Sequence, residues 1–309
     1  MIYPQALKQG DTVAFISPAS RVRAEYVHGA AERLRAAGFK VRVMPHAIDE
    51  PTGSYAASGE CRLADFKQAW ADPEIKAIIC TRGGYGAVHW IDEVADDFLQ
   101  ATPTWLVGFS DVSAIHARLL AAGICSIHGS MARYISDDAR VLNNLLEILC
   151  SEHPSINYEF NAEMHGTGGA HLTARGQLKG GNLAVLSHLI GTRYDPFAGE
   201  GDIIFIEDVS EAIYATERML WQLHLSGALK RAAGLIVGQF TDTRPDANYP
   251  DTTAMIRDRM TRWGYMDKMP IIFNTPIGHV PQNIPLIEGA MVQLQQVDNK
   301  IILKSIYKI

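Results

Sequence analysis

Short apolar runs, each leading through a turn into residues at helical spacing, recur along this chain and limit its fold more than any other feature. Residues 12–18, 40–44, 75–80 and 105–107 are apolar and β-favouring, and residues 22–37, 61–70 and 87–94 fall between them with helix-like periodicity. Gly38 stops the first helical run. Strands that alternate with helices predict a mostly parallel sheet covered on both faces. In such a sheet, ligands bind beyond the carboxyl ends of the strands.

A further short strand is expected over 124–127 and a helix over 137–150. From 151 to 169 the pattern dissolves into Pro, Asn, His and Gly, the composition of a domain boundary. The expected organisation is an amino-terminal domain over 1–155, a linker over 156–170 and a carboxy-terminal domain over 171–309. The second half reads as strands over 171–178, 202–206, 234–238 and 270–274, with helices over 183–190, 212–225 and 252–263. Segments 291–294 and 301–303 read as a β-hairpin turning at Asp298-Asn299.

A chain of 309 residues with 47% hydrophobic and 20% charged residues has the make-up of an ordinary globular protein. The net charge of −6 and the lack of a basic run argue against nucleic-acid binding. Cys61, Cys80, Cys125 and Cys150 are scattered without metal-ligand spacing, which suits a reducing compartment. No zinc-type His/Cys cluster and no H-E-x-x-H motif occurs, so no metal is expected. No segment approaches membrane-spanning length, and the start lacks a secretory pattern. A cytoplasmic protein without membrane contact is expected.

Chemistry-bearing residues gather at the predicted strand ends. Gly108-Phe109-Ser110 is a strand-to-helix turn with a hydroxyl at its tip, followed by Val112, Ile115, Leu119 and Leu120 at helical spacing. Such a turn resembles a nucleophile elbow, although the last glycine of G-x-S-x-G is replaced here by Val112. Capping of the helix by Ser110 or Asp111 is the alternative. The turn Arg82-Gly83-Gly84-Tyr85-Gly86 fits neither a dinucleotide nor a Walker pattern. It serves either as a tight connection or as a backbone amide donor to an oxyanion. Glu207 and Asp208 end an apolar strand, where either caps the next helix or orients a histidine. His28, His116, His188 and His224 fall within helices and read as surface or packing residues. His128 and His279 each follow an apolar β segment beside a glycine, and either suits a general base. Strand ends thus supply a serine, an acid and a histidine, and the residues alone lead as far as a serine-hydrolase reading.

The motifs together resemble the LD-carboxypeptidase family. The matching stretches are Gly10-Asp11-Thr12-Val13 to Ser17-Pro18, Thr81 to Gly86, Gly108-Phe109-Ser110-Asp111-Val112 to His116, and His128-Gly129-Ser130-Met131. In the second half they are Lys179-Gly180-Gly181-Asn182-Leu183, Phe205-Ile206-Glu207-Asp208-Val209 and Gly278-His279. The resemblance implies Ser110 as nucleophile, His279 as base and Glu207 as its orienting acid. It implies backbone amides of Gly84 and Asp111 in the oxyanion hole, with Arg82, Gly83 and His128 lining the substrate. It implies a flavodoxin-like or glutamine-amidotransferase-like layer in the first domain and a mixed β/α second domain, with the active site between them. The implied reaction is hydrolysis of the amide between the L-centre of a diamino acid and a terminal D-alanine in murein tetrapeptide. No cofactor is needed, and a homodimer is implied.

One stretch departs from the family pattern. Where an apolar-Pro-apolar-Gly run is usual after the histidine, this chain reads Asn283-Ile284-Pro285-Leu286-Ile287-Glu288-Gly289, with Glu288 before the glycine. Within the family, a microcin-type immunity peptidase cleaving a peptidyl-nucleotide amide is the alternative reading. A small-molecule binding module that leaves the triad unused is the alternative from another class.

Overall fold

The computed structural model describes residues 1–48, 53–161 and 173–306. It divides into two compact units, Met1–Pro154 with Asn283–Ile287, and Ser155–Gln282 with Glu288–Ile309.

The first unit is built on six strands: β1 (Thr12–Ile16), β2 (Lys40–Val43), β3 (Ile75–Cys80), β4 (Trp105–Gly108), β5 (Ser126–His128) and a late strand, Leu286–Glu288. The last is β11 in chain order. The sheet order is β11-β5-β4-β3-β1-β2, and the pairs from β2 through β5 are parallel. From β2 to β5 this is the flavodoxin-like order, with its topological switch between β1 and β3. Every residue of β1 and β4 is buried, as continuous apolar runs in a central parallel strand require. Lys40 and Arg42 appear in β2 because it is an edge strand. Helix Ala24–Ala36 buries Val27, Ala30, Ala31 and Leu34, one face at helical spacing. Glu25 in its first turn and Arg33 and Arg35 in its last complement the helix dipole.

The second unit contains β6 (Asn157–Asn161), β7 (Thr173–Asn182), β8 (Ile203–Val209), β9 (Gly234–Thr241), β10 (Ile271–Ile272), β12 (Met291–Val297) and β13 (Lys300–Ser305). Their order is β10-β9-β8-β7-β12-β13-β6. The pairs from β10 to β7 are parallel and those from β7 to β6 antiparallel, so the sheet is mixed. Asp298 turns the β12–β13 hairpin in the left-handed region, φ 52°. No helix among the described residues is long and apolar enough to cross a membrane.

The two-domain α/β architecture agrees with the sequence reading, and several details differ. The segment expected as linker, 156–170, contains β6, which pairs with β13 through residues far away in the chain. Residues 162–170 of it, like 49–52 and like 171–172 of the expected strand, lie outside the described residues. Residues 283–287, expected in the second domain, belong to the first unit, because Leu286 and Ile287 supply a buried edge beside β5. The helix expected over 87–94 is two 3-10 turns, Ala87–His89 and Ile91–Glu93. Between them Trp90 is buried and donates its indole N–H to Pro18 O, a tertiary contact that breaks the helical path. The helix expected over 137–150 divides at Asp138, which is extended and caps Ala139–Leu149.

Candidate active site

In the first unit, Ser110 leaves β4 through an extended Phe109 and adopts φ 66°, a left-handed conformation unusual for a residue with a Cβ. A 3-10 turn, Ser110–Val112, then opens helix Ser113–Ala121. Phe109 and Val112 hold the N-cap positions, and neither makes a side-chain cap. Neither Ser110 nor Asp111 therefore stands at an N-cap position of these two elements. The missing glycine at 112 is also explained. A Cβ on Gly108 would meet Val112 Cγ1 at 2.8 Å, so the turn closes on a glycine four residues earlier.

The glycine-rich turn lies directly against this serine. A Cβ on Gly83 would stand 2.8 Å from Ser110 Cβ, 3.0 Å from its Oγ and 3.1 Å from the Asp111 backbone nitrogen. Gly84 follows, exposed, at φ 102°, and a side chain there would run into Ser20. Ser20 holds the turn through its amide to Gly83 O (3.1 Å) and through its hydroxyl, which accepts from Tyr85 N–H (3.2 Å). Arg82 is exposed and donates to Arg21 O.

Two histidines sit behind the serine turn. His116, expected to be a surface or packing residue, is fully buried, and burial pushes its pKa down to about 4. Its Nε2 bonds Gly108 O at 2.9 Å, so that nitrogen carries the proton, and Nδ1 accepts from Ser126 Oγ at 2.7 Å. A neutral imidazole thus ties the end of β4 to β5. His128 is also fully buried, its ring 5.8 Å from that of Phe109.

In the second unit, the register of β8 against β9 shifts between Ile206 and Asp208. Glu207 occupies this bulge, a device that re-aims a side chain. It is 0% exposed, and its Oε2 accepts from His279 Nδ1 at 2.8 Å. With Nδ1–H so engaged, the basic lone pair of the neutral ring is on Nε2. Two glycines make room for this pair. A Cβ on Gly278 (φ 113°) would stand 2.6 Å from Glu207 Oε2, and one on Gly238 would stand 3.1 Å from Glu207 Cβ. Gly278→Ala should therefore displace the Glu207–His279 pair and strain the backbone, at a cost of about 1–3 kcal/mol. Urea unfolding and steady-state rates of the variant check this, and an unchanged kcat would refute it.

Asp208 is committed elsewhere. Its carboxylate accepts from Asn182 Nδ2 (2.8 Å), Ala184 N–H (2.8 Å) and Val209 N–H (2.9 Å), securing the start of helix Leu183–Ser187. Burial first, and the neighbouring Glu207 second, push its pKa up from 3.8 to about 6. The folded state then holds this proton more tightly than the unfolded chain. The resulting stabilisation is complete below about pH 4 and is lost as the pH rises through about 6, a change of about 3 kcal/mol. Urea unfolding should show wild type losing about 2 kcal/mol more between pH 4.5 and 7 than Asp208→Asn. Equal losses would refute the assignment.

Glu288, the departure from the family pattern, is fully buried at the end of β11. Burial raises its pKa well above the usual range. Among the described residues, no three His, Cys, Asp or Glu side chains gather so as to hold a metal ion. The sequence reading missed Gly238 and the buried Arg62, and gave His116 only as a surface or packing residue, of which it is the second. The first ends an apolar run and was legible as a close-approach glycine; Arg62 carries no local signal.

Residues 13–129 match the model of the LD-carboxypeptidase N-terminal domain, and residues 175–294 that of the C-terminal domain. A relative from Synechocystis sp. is 32% identical over 297 residues, spanning 95% of this chain and 94% of its own. The crystal structure of muramoyltetrapeptide carboxypeptidase from Oxalobacter formigenes superposes with a TM-score of 0.84 at 28% identity, covering 96% of this chain and all of that one. Microcin C7 self immunity protein MccF, in complex with aspartyl sulfamoyl adenosine, shares the fold with a TM-score of 0.85 at 19% identity over 99% of each chain. Matched in order through both halves, and related along nearly its whole length, the chain belongs to the LD-carboxypeptidase family of enzymes.

Proposed function

We propose that the protein is a serine LD-carboxypeptidase acting on murein tetrapeptide, with Ser110 as nucleophile, His279 as general base and Glu207 as the acid that orients it. The observation that carries this reading is the 2.8 Å bond from His279 Nδ1 to the buried Glu207. A carboxylate so placed fixes the tautomer whose Nε2 can take a hydroxyl proton, and it stabilises the imidazolium that forms. The left-handed Ser110 and the glycine turn against it are the second support, since strained residues of this kind cluster at functional sites.

In this mechanism His279 Nε2 takes the Ser110 proton and Oγ attacks the carbonyl carbon of the terminal amide. The backbone amides of Gly84 and Asp111 receive the oxyanion. His279 then gives its proton to the leaving amine, which departs as D-alanine, and water hydrolyses the acyl-enzyme by the reverse proton path. The substrate follows from the likeness to the Oxalobacter formigenes enzyme. A cytoplasmic location and a homodimer complete the proposal. The free thiols of all four cysteines suit a reducing compartment, and the solution mass tests the dimer.

The chain incubated with murein tetrapeptide should release D-alanine, and incubated with an aminoacyl sulfamoyl-adenosine should release no nucleoside. Nucleoside release would favour the microcin-immunity reading, and binding without turnover the binding module. Activity should survive EDTA. Loss in the chelator with recovery on adding zinc would overturn the mechanism.

A further inference from the structure

We infer that Arg62 and the side chain of Asp111 are positioning residues for the reaction, holding the glycine-rich turn in register with Ser110. The inference rests on the serine-hydrolase reading above, and every group it invokes lies in the first unit.

Asp111 touches both elements. Its backbone nitrogen lies beside Gly83, 3.1 Å from where a Cβ there would stand. Its carboxylate leaves its own helix and accepts the Ala87 N–H, the donor of the Gly86–Ala87 peptide, at 2.8 Å. Arg62 grips the same peptide from the other side. Its Nη1 donates to Gly86 O (2.7 Å) and Pro18 O (2.8 Å), its Nε to Ala57 O (3.1 Å) and its Nη2 to His89 Nδ1 (3.1 Å). The Gly86–Ala87 peptide is therefore held through its N–H by an anion and through its C=O by a cation. Nothing larger than glycine fits there. A Cβ would stand 2.9 Å from Arg62 Nη1 and 3.2 Å from the Tyr55 ring, at φ 122°. The guanidinium also faces the Tyr55 ring, 5.3 Å from its centroid.

Both charged groups are buried, Arg62 at 2% and Asp111 at 3% exposure. Such burial costs free energy, which the opposite charge and the hydrogen bonds to backbone offset only in part: burial still leads and pushes the Asp111 pKa up to about 6. The turn they clamp contains Gly83, Gly84 and Gly86, which by themselves leave the backbone loose. An amide donates effectively to a developing oxyanion only when it is fixed beforehand. The clamp supplies that fixing, and neither side chain needs to touch the substrate.

A role in packing alone would affect stability without separating kcat from KM. The test uses the full-length chain and a fluorophosphonate, which Ser110 Oγ attacks at phosphorus with loss of fluoride as the base takes the hydroxyl proton. Asp111→Asn keeps the shape and an oxygen for the Ala87 N–H but loses the charge. In the folded variant, phosphonylation of Ser110 and kcat for tetrapeptide should fall together by about 100-fold, with KM held within about threefold. Arg62→Lys keeps the charge but loses the planar fork, and should lower both rates about 10-fold. It decides the matter if Asp111→Asn does not fold. Wild-type labelling and kcat in the folded variant, or a raised KM at constant kcat, would overturn the inference. A wild-type chain not labelled at Ser110, beside an active Ser110→Ala, would instead overturn the nucleophile reading and this inference with it.

Discussion

Ser110→Ala should lower kcat for tetrapeptide hydrolysis by about 10⁴-fold or more, leaving the residual turnover that oxyanion stabilisation and binding alone provide. The fold should survive. Ser110 fills no N-cap position, and alanine enters the same φ of 66° with a smaller side chain, so the stability change should stay within about 1 kcal/mol. Rates and urea unfolding on the same preparation check both halves of this result. A variant with most of its activity would remove Ser110 as nucleophile. An inactive but unfolded one would leave the question to fluorophosphonate labelling of the wild-type serine.

His279→Ala should be as damaging as Ser110→Ala, because triad members act as a unit and the loss of one disables the others. Glu207→Gln should follow with a drop of about 10⁴-fold, as loss of the orienting carboxylate does in other triads. An amide can donate to Nδ1 and so place the imidazole proton on Nε2, the nitrogen that must be basic. Asp208→Asn separates the two neighbouring acids. Its carboxylate binds Asn182, Ala184 and Val209, so stability should change while kcat stays within about tenfold. His128→Ala should also act mainly on stability, by about 2–4 kcal/mol, because its ring is enclosed in the core beside Phe109. A His279→Ala enzyme with most of its activity, beside an inactive but folded His128→Ala, would transfer the base to His128.

The strands that carry these residues were legible because their cause is local. Ile75–Cys80, Trp105–Gly108 and Ile203–Val209 are apolar runs with turn residues at their ends, and a buried parallel strand admits little else. The same runs put Gly83, Ser110 and Glu207 just beyond or at carboxyl ends, where this kind of sheet binds its ligands. The choice between Glu207 and Asp208 could not be settled by strand alternation. A bulge interrupts the β8 register there, and both carboxylates are buried. His116 looked like any polar residue in a helix, yet it bridges Gly108 and Ser126.

Sequence alone determined the alternation of strand and helix, the two-part organisation and the positions of the candidate nucleophile and acid at strand ends. Periodicity is a property of neighbouring residues, and these features depend on little else. Tertiary structure decided which residues meet. It bonds His279 to Glu207 across 72 positions, links Arg62 to Gly86 across 24, and returns Leu286 and Ile287 to the first sheet beside β5. Such pairings depend on the path of the folded chain, and local composition leaves them open. The glycines record the result: Gly83, Gly238 and Gly278 are small because Ser110 and Glu207, distant in sequence, occupy the space a side chain would need.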